Sequence, residues 1–428
     1  MTLSHSLLYL TAAALPFPAM GILLTGNFPL SPAIFFGTAY SLLGLVTRGI
    51  GRSHLVAGGM LLAFIVTAMP RFDYTSYALS ICALGVAIAP LTVPVFEPLA
   101  WHKLLRGFLL GLYLTLTIIC VELGAQVLGI GMISDALRVI FPYGGQGVFI
   151  NFLRPKAGFL EPSHLAIYLC FAFAVLDISK DSKNGFMWHK TIILVALLAI
   201  GSMSGLVIIF TYLIVKSLQD LPSAVRNLLR RRAILYALLS ITLVVLSVAY
   251  FYDAVVQAIE VYSTRIDKTL IALGEGGLEG SEGSRINALT ALPKYWSEFG
   301  VSGFLFGTGY ANYEDWLIKT YGYLGPWSTF ARGQIDNMLV AVFLSTGLVG
   351  LSAYLFFTWW VFRCSGIKRA TVIGVFVLTV NFAFGYLVLY LYWYLLFVLT
   401  TALRFHPYPL RITPKQPYAR TGPLPQRL

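Results

Sequence analysis

The feature that most constrains this chain is a succession of apolar stretches, each long enough to form a membrane-spanning helix and each followed by a short polar turn. A bilayer span needs roughly 17–25 apolar residues. Candidates run over about 6–24, 30–47, 54–69, 77–96 and 107–129, with a sixth over about 160–177. The third is short and ends at Pro70. Charged residues make up only 11% of the 428 residues and the mean hydropathy is +0.78. A soluble domain carries about a quarter charged residues, so lipid is the expected solvent for most of this chain. The opening MTLSHSLLYL lacks a basic segment and runs into further spans, so it reads as the first helix and not as a cleaved signal.

Basic residues orient the spans. Cytoplasmic loops collect Lys and Arg, which turns two ambiguous stretches into a parity problem. Lys180, Lys183 and Lys190 precede the stretch 189–216, and Lys216, Arg226, Arg230, Arg231 and Arg232 follow it. Both groups belong on one side, so the stretch must be a hairpin of two short helices broken at Gly201-Ser202-Met203-Ser204-Gly205. Such interrupted helices need protein or water to satisfy their backbone. A ninth span covers about 233–252 and a tenth 337–362, longer than needed, with first turns free to project outside the bilayer. Arg363, Lys368 and Arg369 then mark a cytoplasmic turn, and Arg404, Arg411, Lys415, Arg420 and Arg427 a cytoplasmic tail. The same parity makes 371–403 a hairpin breaking near Gly385.

The expected fold is therefore all-α, a polytopic transmembrane helical bundle of about 12 helices with both termini in the cytoplasm. Residues 1–129 hold helices one to five, 130–159 a first outer loop and 160–252 helices six to nine. Residues 253–336 form a large outer loop, 337–403 the last three helices and 404–428 a Pro-rich tail. This arrangement puts 20 of the 30 Lys and Arg in cytoplasmic segments and 10 outside. The net charge of +12 thus reflects orientation, with no nucleic-acid partner expected. Cys82, Cys120, Cys170 and Cys364 lie in or beside apolar spans without a CxxC, so neither a disulfide nor a metal site is expected. No internal repeat stands out.

Three outer segments carry groups capable of chemistry. Around the mouth of the sixth span lie Arg154, Lys156, Glu161 and His164. Arg and Lys there can hold a phosphate, Arg by a bidentate fork. The alternative is a helix start with an acidic first turn and interfacial basic anchors. The large loop carries Ser284-Arg285 after the acidic run GEGGLEGSEG, then Leu305-Phe306-Gly307-Thr308-Gly309-Tyr310-Ala311-Asn312. The acidic run lacks the ligand spacing of a calcium loop, and the glycines alone fit an ordinary turn. Arg332, Asp336 and Asn337 close the loop. Asp336-Asn337 can cap a helix; beside an active site, Asp336 can act as a base and Asn337 can orient a sugar hydroxyl. Glu122 lies inside the fifth span near its outer end, either as a functional intramembrane carboxylate or as one shallow enough to reach water.

Taken in order, these segments resemble the Wzy-type bacterial polysaccharide polymerases and the related O-antigen ligases. The resemblance covers about residues 150–350: an Arg…Glu-Pro segment, then Ser-Arg, the FG-x-G-aromatic-x-N motif and Asp336-Asn337-Met338-Leu339 leading to Gly347-Leu348-Val349-Gly350. It implies a GT-C-like membrane glycosyltransferase at the outer face of the bacterial inner membrane. Such an enzyme moves a growing glycan from undecaprenyl pyrophosphate onto a lipid-linked repeat unit, without metal or other cofactor. Glu161 and Asp336 become the candidate catalytic bases. Arg154, Lys156, His164, Arg285, Tyr310, Asn312, Arg332 and Asn337 become the candidate substrate-binding residues. A flippase and a chain-length regulator become the expected partners. Ligases carry His directly before the Asn, where this chain has Asp336, and that departure favours a polymerase. A ligase, a transporter or lipid flippase, and an assembly scaffold are the alternative readings.

Overall fold

The apolar runs fold as helices. The structure is a computed structural model that describes residues 2–17, 22–23, 29–68, 74–130, 148–149, 152–153, 155, 157, 159, 162–179, 186–228, 281–309, 312–321, 337–363, 370–383 and 390–405. The first group of helices is α1 (Leu3–Ala14), α2 (Pro32–Arg48), α3 (Arg52–Ala68), α4 (Tyr74–Thr92) and α5 (Pro98–Val127). Then come α6 (Pro162–Ile178), α7 (Met187–Ile200) and α8 (Met203–Leu228). The last are α9 (Ser281–Phe306), α10 (Asn312–Tyr321), α11 (Met338–Arg363), α12 (Ala370–Ala383) and α13 (Tyr390–Phe405). Two antiparallel ladders of two residues a strand pair β1 (Ile22–Leu23) with β2 (Pro29–Leu30), and β3 (Val148–Phe149) with β4 (Phe152–Leu153). The span expected over 233–252 lies outside the described residues.

Local chemistry sets several helix ends. Ser31 accepts a hydrogen bond from the Ile34 amide, Pro32 occupies the first turn, and Gly49 closes α2 at φ 73°. This is the usual pairing of a hydroxyl cap with an early proline and a terminal glycine. α1 stops at Ala14 and does not continue to residue 24, so the expectation for the first span is corrected. Hydropathy continues through this stretch, but Pro16 and Pro18 remove backbone donors and disfavour helix in the residues before them.

Polar contacts gather several helix ends at one end of the bundle. His5 at the start of α1 meets Glu97 at the start of α5 at 3.1 Å. Arg48, ending α2, donates to the Pro94 carbonyl, and Arg404, ending α13, donates to the Val95 carbonyl. Glu122, near the far end of α5, accepts from the Ala157 amide just before α6. α6 therefore starts at the opposite end from His5 and Arg404.

The expected break in 189–216 falls at Gly201, which adopts the left-handed conformation (φ 61°, ψ 34°). Cys170 and Ala166 of α6 touch Gly205, whereas Asp177 binds both Lys190 of α7 and Lys216 of α8. α7 thus runs back along α6 and α8 returns, leaving the two lysines at the same end. Tyr212 donates to the same carboxylate at 2.8 Å.

α6 and α13 form the interior. All but Ser163 in α6 and all but Arg404 in α13 are buried, as expected of helices that are apolar all round. α13 packs on α4, α5 and α6, while α6 also packs on α7 and α8. Outward faces are apolar too: Phe35, Val46, Leu55, Phe210, Ile214 and Trp359 are exposed. By length and composition, α5 suffices to cross a membrane, as does α11 when counted from Met338 to Arg363 across its break at Gly347.

Candidate functional site

The segment Phe306-Gly307-Thr308-Gly309 and the segment Leu344-Ser345-Thr346-Gly347 lie against each other, and glycine makes this possible. α11 is broken at Gly347 (φ 62°, ψ −163°), and α9 at Gly300 (φ 56°, ψ −151°). A break in a helix frees carbonyls one turn back. Here the freed groups are satisfied from α9 and the residues that follow it: Leu344 O accepts from the Thr308 amide (2.9 Å), Thr308 Oγ1 (3.0 Å) and the Tyr295 hydroxyl (3.2 Å). Ser345 O accepts from the Gly309 amide at 2.9 Å. The contact is reciprocal. A Cβ on Gly307 would strike the backbone of Ser345 and Thr346, and one on Gly347 would strike that of Leu305 and Phe306. Gly307 is itself at φ 73°. Around this lock, Ala291 and Tyr295 of α9, Trp316 of α10 and Val340, Ala341 and Leu344 of α11 form a separate apolar cluster.

The same break folds α11 back on itself. The Tyr354 hydroxyl lies 3.0 Å from the Met338 sulfur, 16 residues earlier. A straight helix would hold those residues about 24 Å apart. The expectation of one continuous tenth span over 337–362, with first turns projecting outward, is corrected: its first turns lie beside the second arm. Tyr354 also meets Asn381 Oδ1 (2.8 Å) and the Tyr392 hydroxyl (3.3 Å), which sets the end of α12 beside the start of α13. This buried polar cluster escaped the reading of the sequence. Its only signals are Tyr354, Asn381 and Tyr392 inside otherwise apolar runs.

Asn337 stands next to that cluster in the chain. Its Oδ1 accepts from the Val340 amide at 3.2 Å, so it caps the first arm of α11. The side chain is 1% exposed, and its Nδ2 has no hydrogen-bond partner among the described residues. His164, in the first turn of α6, is buried at 4% exposure. Arg285 lies on α9 and Asn312 opens α10, but their side chains lie outside the described residues. Arg154, Lys156, Glu161, Tyr310, Arg332 and Asp336 also lie outside them. The structure therefore brings together the Gly307 and Gly347 motifs, sets the Asn337 cap at the other end of the first arm of α11, and leaves the convergence of Arg154 with Arg285 undescribed.

Between Lys156 and Gly158 in the chain, Ala157 is at φ 48° and fully buried. Its amide donates to Glu122 Oε2 at 3.3 Å. Phe159, also fully buried, packs on Tyr168 of α6, which packs on Phe108 of α5. Glu122 is thus tied to the segment carrying the basic mouth residues. Among the described residues no three or more His, Cys, Asp or Glu cluster as a metal site. A cavity of about 270 Å³ lies at the other end of α5, between His5, Tyr40, Arg48 and Glu97. Compared with protein-family models and with characterised proteins, the chain matches none.

Proposed function

We propose that this chain is a multi-pass membrane polysaccharide polymerase of the bacterial inner membrane, a metal-independent glycosyltransferase with a lipid-pyrophosphate-linked donor. The observation that carries the reading is the lock between the Gly307 and Gly347 segments. The two motifs that bear the resemblance, far apart in the chain, are joined through their backbones, with the buried amide of Asn337 at the start of the same helix. The apolar outward faces support a lipid setting, as do the alternating helix ends. On this reading α1–α8, a ninth span over 233–252, the second arm of α11, α12 and α13 make twelve passes. Both large loops then face the outer side.

The chemistry follows from the donor. An acceptor hydroxyl attacks the anomeric carbon, the bond to pyrophosphate breaks, and undecaprenyl pyrophosphate leaves. Arg154 and Arg285 offset the charge growing on the leaving group. Glu161 or Asp336 takes the hydroxyl proton, and Asn337 Nδ2 donates to a sugar oxygen. Holding two lipid-anchored substrates in one site lowers the entropic cost of their encounter. Deletion of the gene, followed by gel analysis of surface glycans, tests this. If the chain is the polymerase, the deletion strain loses long chains and accumulates single repeat units, and Arg285→Ala fails to restore the long chains. Wild-type chain lengths with Arg285→Ala contradict the reading. Normal polymer left on its carrier in the deletion strain points to a ligase.

A transporter is the second reading, favoured by the broken helices at Gly201 and Gly347 and the buried Tyr354–Asn381–Tyr392 cluster.

A further inference from the structure

We propose that Glu122 is a positioning residue of the active site: its carboxylate holds the strained Ala157 turn and thereby sets the mouth segment that bears Arg154, Lys156 and Glu161. The inference rests on the polymerase reading for its functional consequence, but not for its geometry. A non-glycine residue at φ 48° is uncommon. Such a conformation persists only where its surroundings over-determine it. Here the determinants are explicit. The Ala157 amide donates to Glu122 Oε2 in a buried contact, Ala157 itself is fully buried, and Phe159 is clamped against Tyr168.

The residue is 9% exposed and stands in the last turns of α5, among mostly apolar side chains. An intramembrane acid of this kind is kept at a cost and calls for a specific task. The carboxylate is an acceptor suited to a buried backbone amide, and at 3.3 Å it is the hydrogen-bond partner seen for the Ala157 N–H. It acts on a residue three after Arg154 and four before Glu161. Glu122 reaches no substrate in this account. It acts through the backbone, by fixing the left-handed conformation of Ala157, which lies in the chain between the basic and acidic candidates.

The experiment compares Glu122→Ala, Glu122→Gln and Ala157→Gly in the full chain. Hydrogen–deuterium exchange of the purified protein reports the Ala157 amide directly, and glycan gels of complemented deletion strains report function. With Glu122→Ala, exchange in the peptide around Ala157 is expected to rise at least tenfold. Long-chain glycan falls at least tenfold while the protein still elutes as a folded species. Glu122→Gln keeps an acceptor in place and is expected to restore both readouts to within about threefold. Ala157→Gly relieves the positive φ, keeps the amide, and is expected to stay near wild type. Unchanged exchange in Glu122→Ala overturns the inference, as does a Glu122→Gln variant as impaired as Glu122→Ala. Should Glu122→Ala fail to fold, the Gln and Gly variants still decide. Faster exchange with no change in glycan, in a strain whose deletion does abolish long chains, overturns the functional part of the inference while the polymerase reading and the hydrogen bond stand; unchanged glycan in the deletion strain itself overturns the polymerase reading.

Discussion

Asn337 has a cap role that is visible and a ligand role that is proposed, and the two can be separated. Its carbonyl oxygen caps α11, while its amide nitrogen is buried with no hydrogen-bond partner among the described residues. Asn337→Ser keeps a capping oxygen and deletes the amide, so stability is expected to change by less than about 1 kcal/mol while polymer is lost. Asn337→Ala deletes both and is expected to cost about 1 kcal/mol more, read from thermal unfolding in detergent. Asp177 is a purely structural counterpart. Its side chain is 4% exposed and bridges Lys190, Lys216 and Tyr212, holding three helices. Asp177→Ala is expected to destabilise the fold by about 3 kcal/mol, because two partly buried lysines lose their counter-charge. At this scale the sequence was only partly legible. Asn337 was readable both as a cap and as a ligand, and the structure supports the cap directly. The Glu122–Ala157 bond was not readable, because 35 residues separate its partners and nothing in either segment announces the other.

Element boundaries were legible wherever a backbone constraint coincides with a change in charge. Gly201 is such a place: basic residues on both sides demanded a turn, and a glycine able to adopt φ 61° supplied it. Where apolar residues run on through a break, hydropathy conceals it. α1 ends at Ala14 although the stretch stays apolar to Leu24, and α11 folds back at Gly347 inside an unbroken apolar run. The reason is physical. Hydropathy reports the solvent a segment prefers, and says little about its dihedral angles. The glycine lock tests this element by element. Gly307→Ala and Gly347→Ala each place a Cβ into facing backbone at a positive φ, and each is expected to destabilise by about 3 kcal/mol or more. A smaller seam joins α1 and α5, where Gly107 and Gly111 face the backbone of Tyr9 and Ala13. Small residues at this spacing permit close helix approach in lipid. Gly107→Leu is expected to force the two helices apart, seen as loss of the monodisperse peak on size exclusion.

As a whole, the molecule has an interior of two helices buried on nearly every face and an outside that is also apolar. Where α9 and the folded α11 meet, the Gly307 and Gly347 segments are locked backbone to backbone, and the proposed polymerase would use that joint to hold its outer loop against the bundle. The central claim is that this protein lengthens glycans on a lipid carrier by itself. The most direct measurement is to reconstitute the purified chain in liposomes with lipid-linked repeat units from the deletion strain, without an ion gradient. The account predicts a ladder of lengthened, lipid-linked glycans that disappears with Arg285→Ala. Repeat units that stay single, or cross the bilayer without lengthening, would contradict it.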